Sequence, residues 1–305
     1  MVRMSDFRLK VFQSVAKNLS FTKASQELFV SQPAISKHVQ ELEAAYKTHL
    51  FDRRCGRISL TKAGELLLAH SERILDAYKR LDYEMHLLHN EYQGELRLGA
   101  STTIAQYVIP PFLGSFIDKF PQVKLTLLNG NTREVETALQ EHRIDLGLVE
   151  GIYRQPNLHY DTFLKDELVA VVHVHSHLSM SLPDEITVEE LMRVPLVLRE
   201  RGSGTLDVIE RALQEQGVRL SALNIRMYLG STESIKLFLE NAECMGIVSV
   251  RSISKELAAG MFRVIEIKGL SMYRDLCFVG LQGQEGGLPL AFMQFVNRLP
   301  LLGKL

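Results

Sequence analysis

The chain has 305 residues, 46% hydrophobic and 23% charged, with a formal net charge of −1. That balance suits a globular protein of two or three domains. No run approaches the roughly 20 apolar residues of a membrane span, and the start MVRMSDFRLK carries no apolar stretch of the secretory kind. Cys55, Cys244 and Cys277 are too few and too scattered for a disulfide framework, so the chain is expected to be cytoplasmic. The small net charge hides a split. Residues 1–60 hold ten Lys/Arg against five Asp/Glu, and the rest 25 against 31. A basic arm on an acidic body suits a polyanion partner; a chance excess is the alternative.

In chain order, Ser5 is expected to cap a first helix with Phe7, Val11, Phe12 and Val15 on one face. Asn18-Leu19-Ser20 breaks it. A second helix starts near Phe21, with Ala24 and Leu28 one turn apart, and Phe29-Val30 turns the chain. Ser31 is expected to cap a third helix, with Pro33 in its first turn, where a missing N–H costs nothing. Ile35, Val39 and Leu42 give it an apolar face. Next comes LFDRRCGRISLT, two extended runs about Cys55-Gly56 with Arg53, Arg54 and Arg57 at the tip. Three helices and a basic hairpin outline a winged helix-turn-helix. The third helix begins with short polar groups, as a helix entering the major groove requires. Gln32 can read adenine with both amide atoms, while Ser31, Ser36 and Lys37 can reach bases or phosphates. The wing arginines would lie along the backbone or in the minor groove. An ordinary helical hairpin with a solvated polar face is the other reading.

AxxLFVSQPAISKHVQELE followed by LFDRRCGRISLTKAG closely resembles the DNA-binding segment of the LysR-type transcriptional regulators. Ala24, Ser25, Leu28, Ser31, Gln32, Pro33, Ala34, Ser36, Leu42, Glu43, Leu50, Phe51, Arg53, Leu60, Thr61 and Gly64 match in order and spacing. Lys62 stands where the family often has proline, and Tyr46-Lys47 replaces a common leucine-glycine; neither is expected to alter the fold. The resemblance implies double-stranded, partly palindromic DNA as partner, touched by Thr22, Ser31, Gln32, Pro33, Ser36, Lys37, Arg53, Arg54 and Arg57. It also implies a homodimer or homotetramer, with RNA polymerase as a further candidate partner.

From Thr61 to about Glu91, Ile74, Tyr78, Leu81, Met85, Leu88 and Tyr92 recur at spacings of four and three, with Leu67 seven residues earlier. This is a heptad seam. A helix of about 30 residues would be about 45 Å long, more than a 60-residue domain can cover, so a second copy is the expected partner. In the family such a linker helix pairs with that of another chain.

Beyond Gln93-Gly94, strand-like and helix-like stretches alternate, from ELRLGA through IAQYVIPPFLGSFIDKF, expected to be helical, to MGIVSV. Alternation of this kind predicts an α/β architecture with mostly parallel sheets. The resemblance implies two Rossmann-like subdomains around a ligand cleft, as in periplasmic solute-binding proteins. The expected division is a DNA-binding domain over 1–60, a linker helix over 61–92 and an effector domain over 93–305. Within the last, subdomain I covers 95–163 and 268–305, and subdomain II covers 164–267. Three segments place small hydroxyl residues just before helices: Ser101-Thr102-Thr103, Gly202-Ser203-Gly204-Thr205, and Gly230-Ser231-Thr232. Such starts favour anions, though plain helix caps use the same residues. In the family, these loops hold effectors. Ser101, Thr102, Thr103, Arg199, Gly202, Ser203, Thr205, Ser231 and Thr232 are therefore the candidate effector residues, for a small anion or carboxylate. Leu206 sits where arginine is frequent, and Arg199 and Arg201 are the candidate replacements.

His173, His175 and His177 alternate as metal ligands on a strand would, but a strand interior followed by a polar turn is the favoured reading. Cys244 and Cys277 could form a redox pair as in peroxide-sensing members of that family, which would make the chain a redox-responsive regulator, but their surroundings show no setting that would depress a thiol pKa. There is no G-x-x-x-x-G-K-[ST], H-E-x-x-H or G-x-S-x-G, and Gly283–Gly287 reads as a turn. The expectation is no enzyme, no metal and no cofactor, but a small-molecule effector.

Overall fold

Helix α1 (Arg3–Asn18) ends where Leu19 takes a positive φ of 46°. In this computed structural model, which describes residues 3–54, 57–88, 92–152, 154–282 and 286–299, Ser5 lies inside that helix rather than at its cap. Nothing at Arg3 or Met4 interrupts the helix, so it begins earlier than the cap signal suggests. Ser20 caps α2 (Phe21–Glu27), Phe29 makes the turn at φ 52°, and α3 (Gln32–Tyr46) follows. The expected faces converge: Val11, Phe12, Val15, Phe21, Ala24, Ile35, Val39 and Leu42 form one core with Leu50 and Phe51. Strands β1 (Phe51–Arg54) and β2 (Arg57–Leu60) pair antiparallel as the wing.

Polar anchors fix the wing to the helices. The Glu43 carboxylate accepts from Leu50 N–H at 2.8 Å. Thr61 Oγ1 donates to His49 C=O at 2.7 Å and accepts from Gly64 N–H at 3.1 Å, which starts α4 (Lys62–Leu88). Gly64 passes so close to Leu50 that a Cβ would lie 2.2 Å from its carbonyl oxygen. Lys62 is the first helical residue, where proline and lysine are both tolerated. Along α4, Leu67 and Leu68 pack on the domain core, whereas Ile74, Leu81 and Met85 are 40%, 50% and 47% exposed. The Leu88 side chain of the expected seam lies outside the described residues.

The second compact unit starts at Gln93. Strand β3 (Gly94–Ser101) pairs parallel with β4 (Val123–Gly130) and β5 (Leu146–Glu150). Between β3 and β4 the expected single helix is a π-helical turn, Ile104–Val108, then α5 (Pro110–Lys119). Pro110 and Pro111 have no N–H to continue the first helix, so a second one starts with proline in its first turn. Helix α6 (Thr132–Gln140) carries an Asn131/Glu134 capping box and buries Val135, Ala138 and Leu139.

Strand β6 (Leu158–His173) is long enough to serve two neighbourhoods. Residues 158–167 pair with β12 (Tyr273–Leu281), and residues 168–173 lie between β10 (Met245–Ser249) and β11 (Phe262–Ile267), all antiparallel. The region after β6 contains α7 (His177–Ser181), β7 (Glu185–Ile186), α8 (Val188–Leu191), β8 (Leu196–Arg199), α9 (Gly204–Glu215) and β9 (Ile225–Leu229). Helices α10 (Thr232–Leu239), α11 (Val250–Ala258) and α12 (Gly287–Arg298) complete the unit. The main strand order is β4-β3-β5-β12-β6-β10-β8-β9. The outer pairs are parallel, as alternation predicts, but the two crossing strands make the middle antiparallel. We call the β3–β5 side the first half and the β8–β10 side the second.

Lys47, where the family commonly has glycine, closes α3 in the left-handed region at φ 52° and ψ 37°. A side chain there is strained. Lys47→Gly is expected to stabilise the DNA-binding unit by about 0.5–1 kcal/mol, the strain relieved less the glycine entropy. Chemical denaturation followed by circular dichroism measures it, and a destabilised variant would contradict the strain.

Candidate functional site

On the first unit, Thr22, Ser31, Gln32, Pro33 and Lys37 are exposed and Ser36 is half-buried. Ser31 occupies the cap position of α3 with extended backbone, but its hydroxyl makes no capping hydrogen bond. The capping role expected of its side chain is not used, and Ala34 and Ile35 N–H reach the Ser31 carbonyl instead. Gln32 Nε2 donates to Ser36 Oγ at 3.0 Å, which orients the amide along the exposed face. Arg54 and Arg57 pair at the hairpin end. The side chains of Arg53, Arg54 and Arg57, and all of Cys55 and Gly56, lie outside the described residues.

In the second unit the strand ends of both halves meet. Ser101 ends β3 with Thr102 and Thr103 directly after it, Arg199 ends β8, Ser203 caps α9 and Thr205 lies in its first turn; all six are at most 5% exposed. Their partners differ. Ser101 Oγ donates to the Glu150 carboxylate. Thr102 Oγ1 donates to Gly130 C=O at 3.2 Å and accepts from Arg199 Nη2 at 3.3 Å. Ser203 Oγ accepts from Leu206 N–H, so it caps its helix, and Ser231 caps α10 in the same way. Thr232, 2% exposed, is the first residue of α10. Thr205 Oγ1 accepts from Arg274 Nη1 at 2.9 Å. Leu206 lies in the apolar core of the second half, while Arg201 stays exposed in the turn.

Among the candidate effector residues, two keep unspent hydrogen-bonding capacity. Arg199 is 1% exposed, with Nε and Nη2 on the Glu200 carboxylate at 2.9 and 3.1 Å, yet Nη1 is buried without a partner. Thr103 is 1% exposed, and its Oγ1 is likewise unpartnered. An unsatisfied buried polar group costs about 1–3 kcal/mol. Two of them flanking Thr102 make a site with donors to offer.

Beneath this lies a buried ionic cluster that sequence reading missed. Arg274 Nε donates to Asp166 Oδ2 at 2.8 Å, and Nη2 lies 2.7 Å from the same oxygen. Arg274 Nη1 is 3.5 Å from Glu150 Oε1. Ser249 Oγ donates to Asp166 Oδ1 at 2.8 Å, and Thr132 Oγ1 to Glu150 C=O at 2.8 Å. The halves also touch through backbone: Arg133 N–H donates to Gly202 C=O at 3.2 Å. Gly204 lies so near β5 that a Cβ would sit 1.9 Å from the Glu150 carbonyl oxygen. No short-range motif links these residues.

The three histidines do not share a strand face. His173 ends β6, His175 lies in the turn, and His177 opens α7. Among the described residues, no group of three His, Cys, Asp or Glu could hold a metal, and no helix is long and apolar enough to cross a membrane. Cys244 and Cys277 are buried free thiols, and burial raises both pKa values.

Comparison with known proteins matches both regions of the chain to one family. Residues 7–65 match the model of the bacterial regulatory helix-turn-helix proteins of the lysR family, and residues 89–299 match the LysR substrate binding domain. The chain is 33% identical over 275 residues to a probable RuBisCO transcriptional regulator of Cyanidioschyzon merolae, covering 88% of this chain and 89% of that one. It is 28% identical over 272 residues to the HTH-type transcriptional regulator CysL of Bacillus subtilis, covering 89% of each. The regulatory domain of Synechocystis CcmR, solved in complex with 2-PG, superposes with a TM-score of 0.59 at 26% identity, covering 67% of this chain and 96% of that one. The paired matches span a helix-turn-helix and an effector domain in the order that the structure builds them, and the chain belongs to the LysR family of transcriptional regulators.

Proposed function

We propose that this regulator responds to a small anion held in the cleft between Arg199 and Thr103. The unpartnered Arg199 Nη1 carries the reading, because a guanidinium N–H buried without an acceptor suits an incoming carboxylate or oxyanion. Thr103 Oγ1 supplies a second donor, and the starts of α9 and α10 add N–H groups that favour negative charge. In this reading Thr102, Gly202, Ser203, Ser231 and Thr232 shape the walls. Ser101 and Thr205 hold the underlying ion cluster. Binding of 2-PG by CcmR supports a small acid, and 2-PG heads the panel of carboxylates and oxyanions to be tested by calorimetry on the full chain. Thr103→Val keeps the shape but removes the donor, so it is expected to weaken the bound anion by about 1–3 kcal/mol and leave ligand-free DNA affinity unchanged. A cationic effector, or one indifferent to Thr103→Val, would overturn the assignment.

For DNA, the proposed base-reading groups are Gln32, Ser31, Ser36 and Lys37, with Thr22, Pro33 and the wing residues Arg53, Arg54 and Arg57 on the sugar–phosphate backbone or minor groove. The exposed Gln32 amide supports this. Gln32→Ala is expected to cost about 1–3 kcal/mol on the cognate site alone. Arg57→Ala should weaken all sequences and flatten the salt dependence. Fluorescence anisotropy at several salt concentrations separates the two, and equal loss of cognate and random DNA in Gln32→Ala would refute direct readout.

The proposed organisation is a DNA-binding domain over 1–60, a linker helix over 61–92 and a two-part effector domain, working in the cytoplasm as a homodimer or homotetramer without catalysis or cofactor and acting on RNA polymerase. The exposed row Ile74, Leu81 and Met85 supports pairing through α4. Leu81→Asp is expected to lower self-association and operator affinity together, because each half-site alone binds weakly. Unchanged mass by light scattering with intact operator binding would remove α4 from the interface.

A further inference from the structure

The π-helical turn Ile104–Val108 directly follows Thr103. Its defining bond, Ile109 N–H to Ile104 C=O, is 2.9 Å. Such turns are rare and gather at functional sites, because a plain α-turn uses the same residues with less distortion. Here the turn carries Tyr107 across to the second half. Tyr107 Oη donates to the Glu233 carboxylate at the start of α10. Lys236, one turn further on and 6% exposed, lies 2.7 Å from Glu233 and 2.6 Å from Glu256 of α11, and donates to Ser252 C=O at 3.2 Å. Its Nζ is also 5.3 Å from the centre of the Tyr107 ring. Tyr107 thus meets a carboxylate with its hydroxyl and a buried cation with its face.

We propose that Tyr107, Glu233 and Lys236 form a latch between the two halves, positioning residues that set how readily the effector site closes. The proposal rests on the reading that the cleft holds the effector. Thr102 and Thr103 precede Tyr107 on one wall, and Ser231 and Thr232 precede Glu233 on the other. Any movement of the β3 end toward a ligand is therefore passed through the π turn to the latch. The bond is to a charged acceptor, which makes it stronger than a neutral one. Burial raises the Tyr107 phenol pKa, and the Glu233 bond raises it further, so the hydroxyl keeps its donor proton. An open cavity of about 720 Å³ borders the three residues, lined also by Pro110, Pro111 and the first turns of α11. The latch consequently stands at the edge of the closed region, where it can part without disturbing either core.

Hydrogen–deuterium exchange on the ligand-free full chain tests the latch without depending on any effector. Tyr107→Phe keeps the ring and loses the bond. It is expected to speed exchange by about tenfold or more in residues 104–108, in the first turn of α10 and in the remote loop 202–206, as loss of a charge-assisted bond implies. Glu233→Gln keeps an acceptor but loses the charge and the Lys236 ion pair, so it should speed exchange in the same places, and the double variant should fall short of the sum of the two, because both weaken one coupled interaction. Exchange in α1 to α3 is the folding control. Acceleration confined to residues 104–108, or additive effects in the double variant, would overturn the latch and leave Tyr107 a local packing residue. Failure of the anion reading would appear in calorimetry, not in this exchange pattern.

Discussion

Arg274 lies buried between two carboxylates, and the effector domain is arranged around it. An ion taken from water costs several kcal/mol, recovered only when its pairing is nearly complete. Here Asp166 lies across the sheet from Arg274 on the crossing strands, Glu150 comes from the first half, and Thr205 from the second. Ser101 and Ser249 then donate to Glu150 Oε2 and Asp166 Oδ1. Removing any member strands a charge, so the spacing of the two halves is tightly determined where they meet.

That spacing sets the geometry of the proposed effector site. Arg199 is already neutralised by Glu200, so the site does not attract anions by excess charge. It offers direction instead: one guanidinium N–H and one hydroxyl, each buried and each lacking a partner. Such a site selects by geometry, because a ligand that misplaces its acceptor leaves both groups unsatisfied. Around the ion cluster, Gly204 brings α9 against the Glu150 carbonyl, and Tyr107 ties the opposite edge to α10.

The DNA-binding unit shows the same division between apolar core and polar anchor. Its core residues follow helical spacing and were legible for that reason. The anchors Glu43 and Thr61 had signals too, as matches to a family pattern, but only the folded chain gives their purpose, which is to hold the wing at a set angle to α3. Ser31 misled in the other direction. Its position and backbone are those of a cap, yet the side chain stays out of the helix, since local propensity cannot say which of two uses a hydroxyl will take.

The sequence by itself determined the elements whose causes are local. Apolar spacing set α1 to α3, Pro33 fits the first turn of α3, and alternation set the parallel outer strands on each side of the effector domain. Tertiary structure alone decided the antiparallel middle, because β6 is one uninterrupted run whose two ends pair with different strands. It also decided which of the small hydroxyl residues are spent and which remain available. Ser101, Thr102 and Thr103 are adjacent and chemically alike, but Glu150 and Gly130 take the first two, and nothing in the fold reaches the third. Partners of that kind come from strands distant in the chain, so no pattern along the sequence records them.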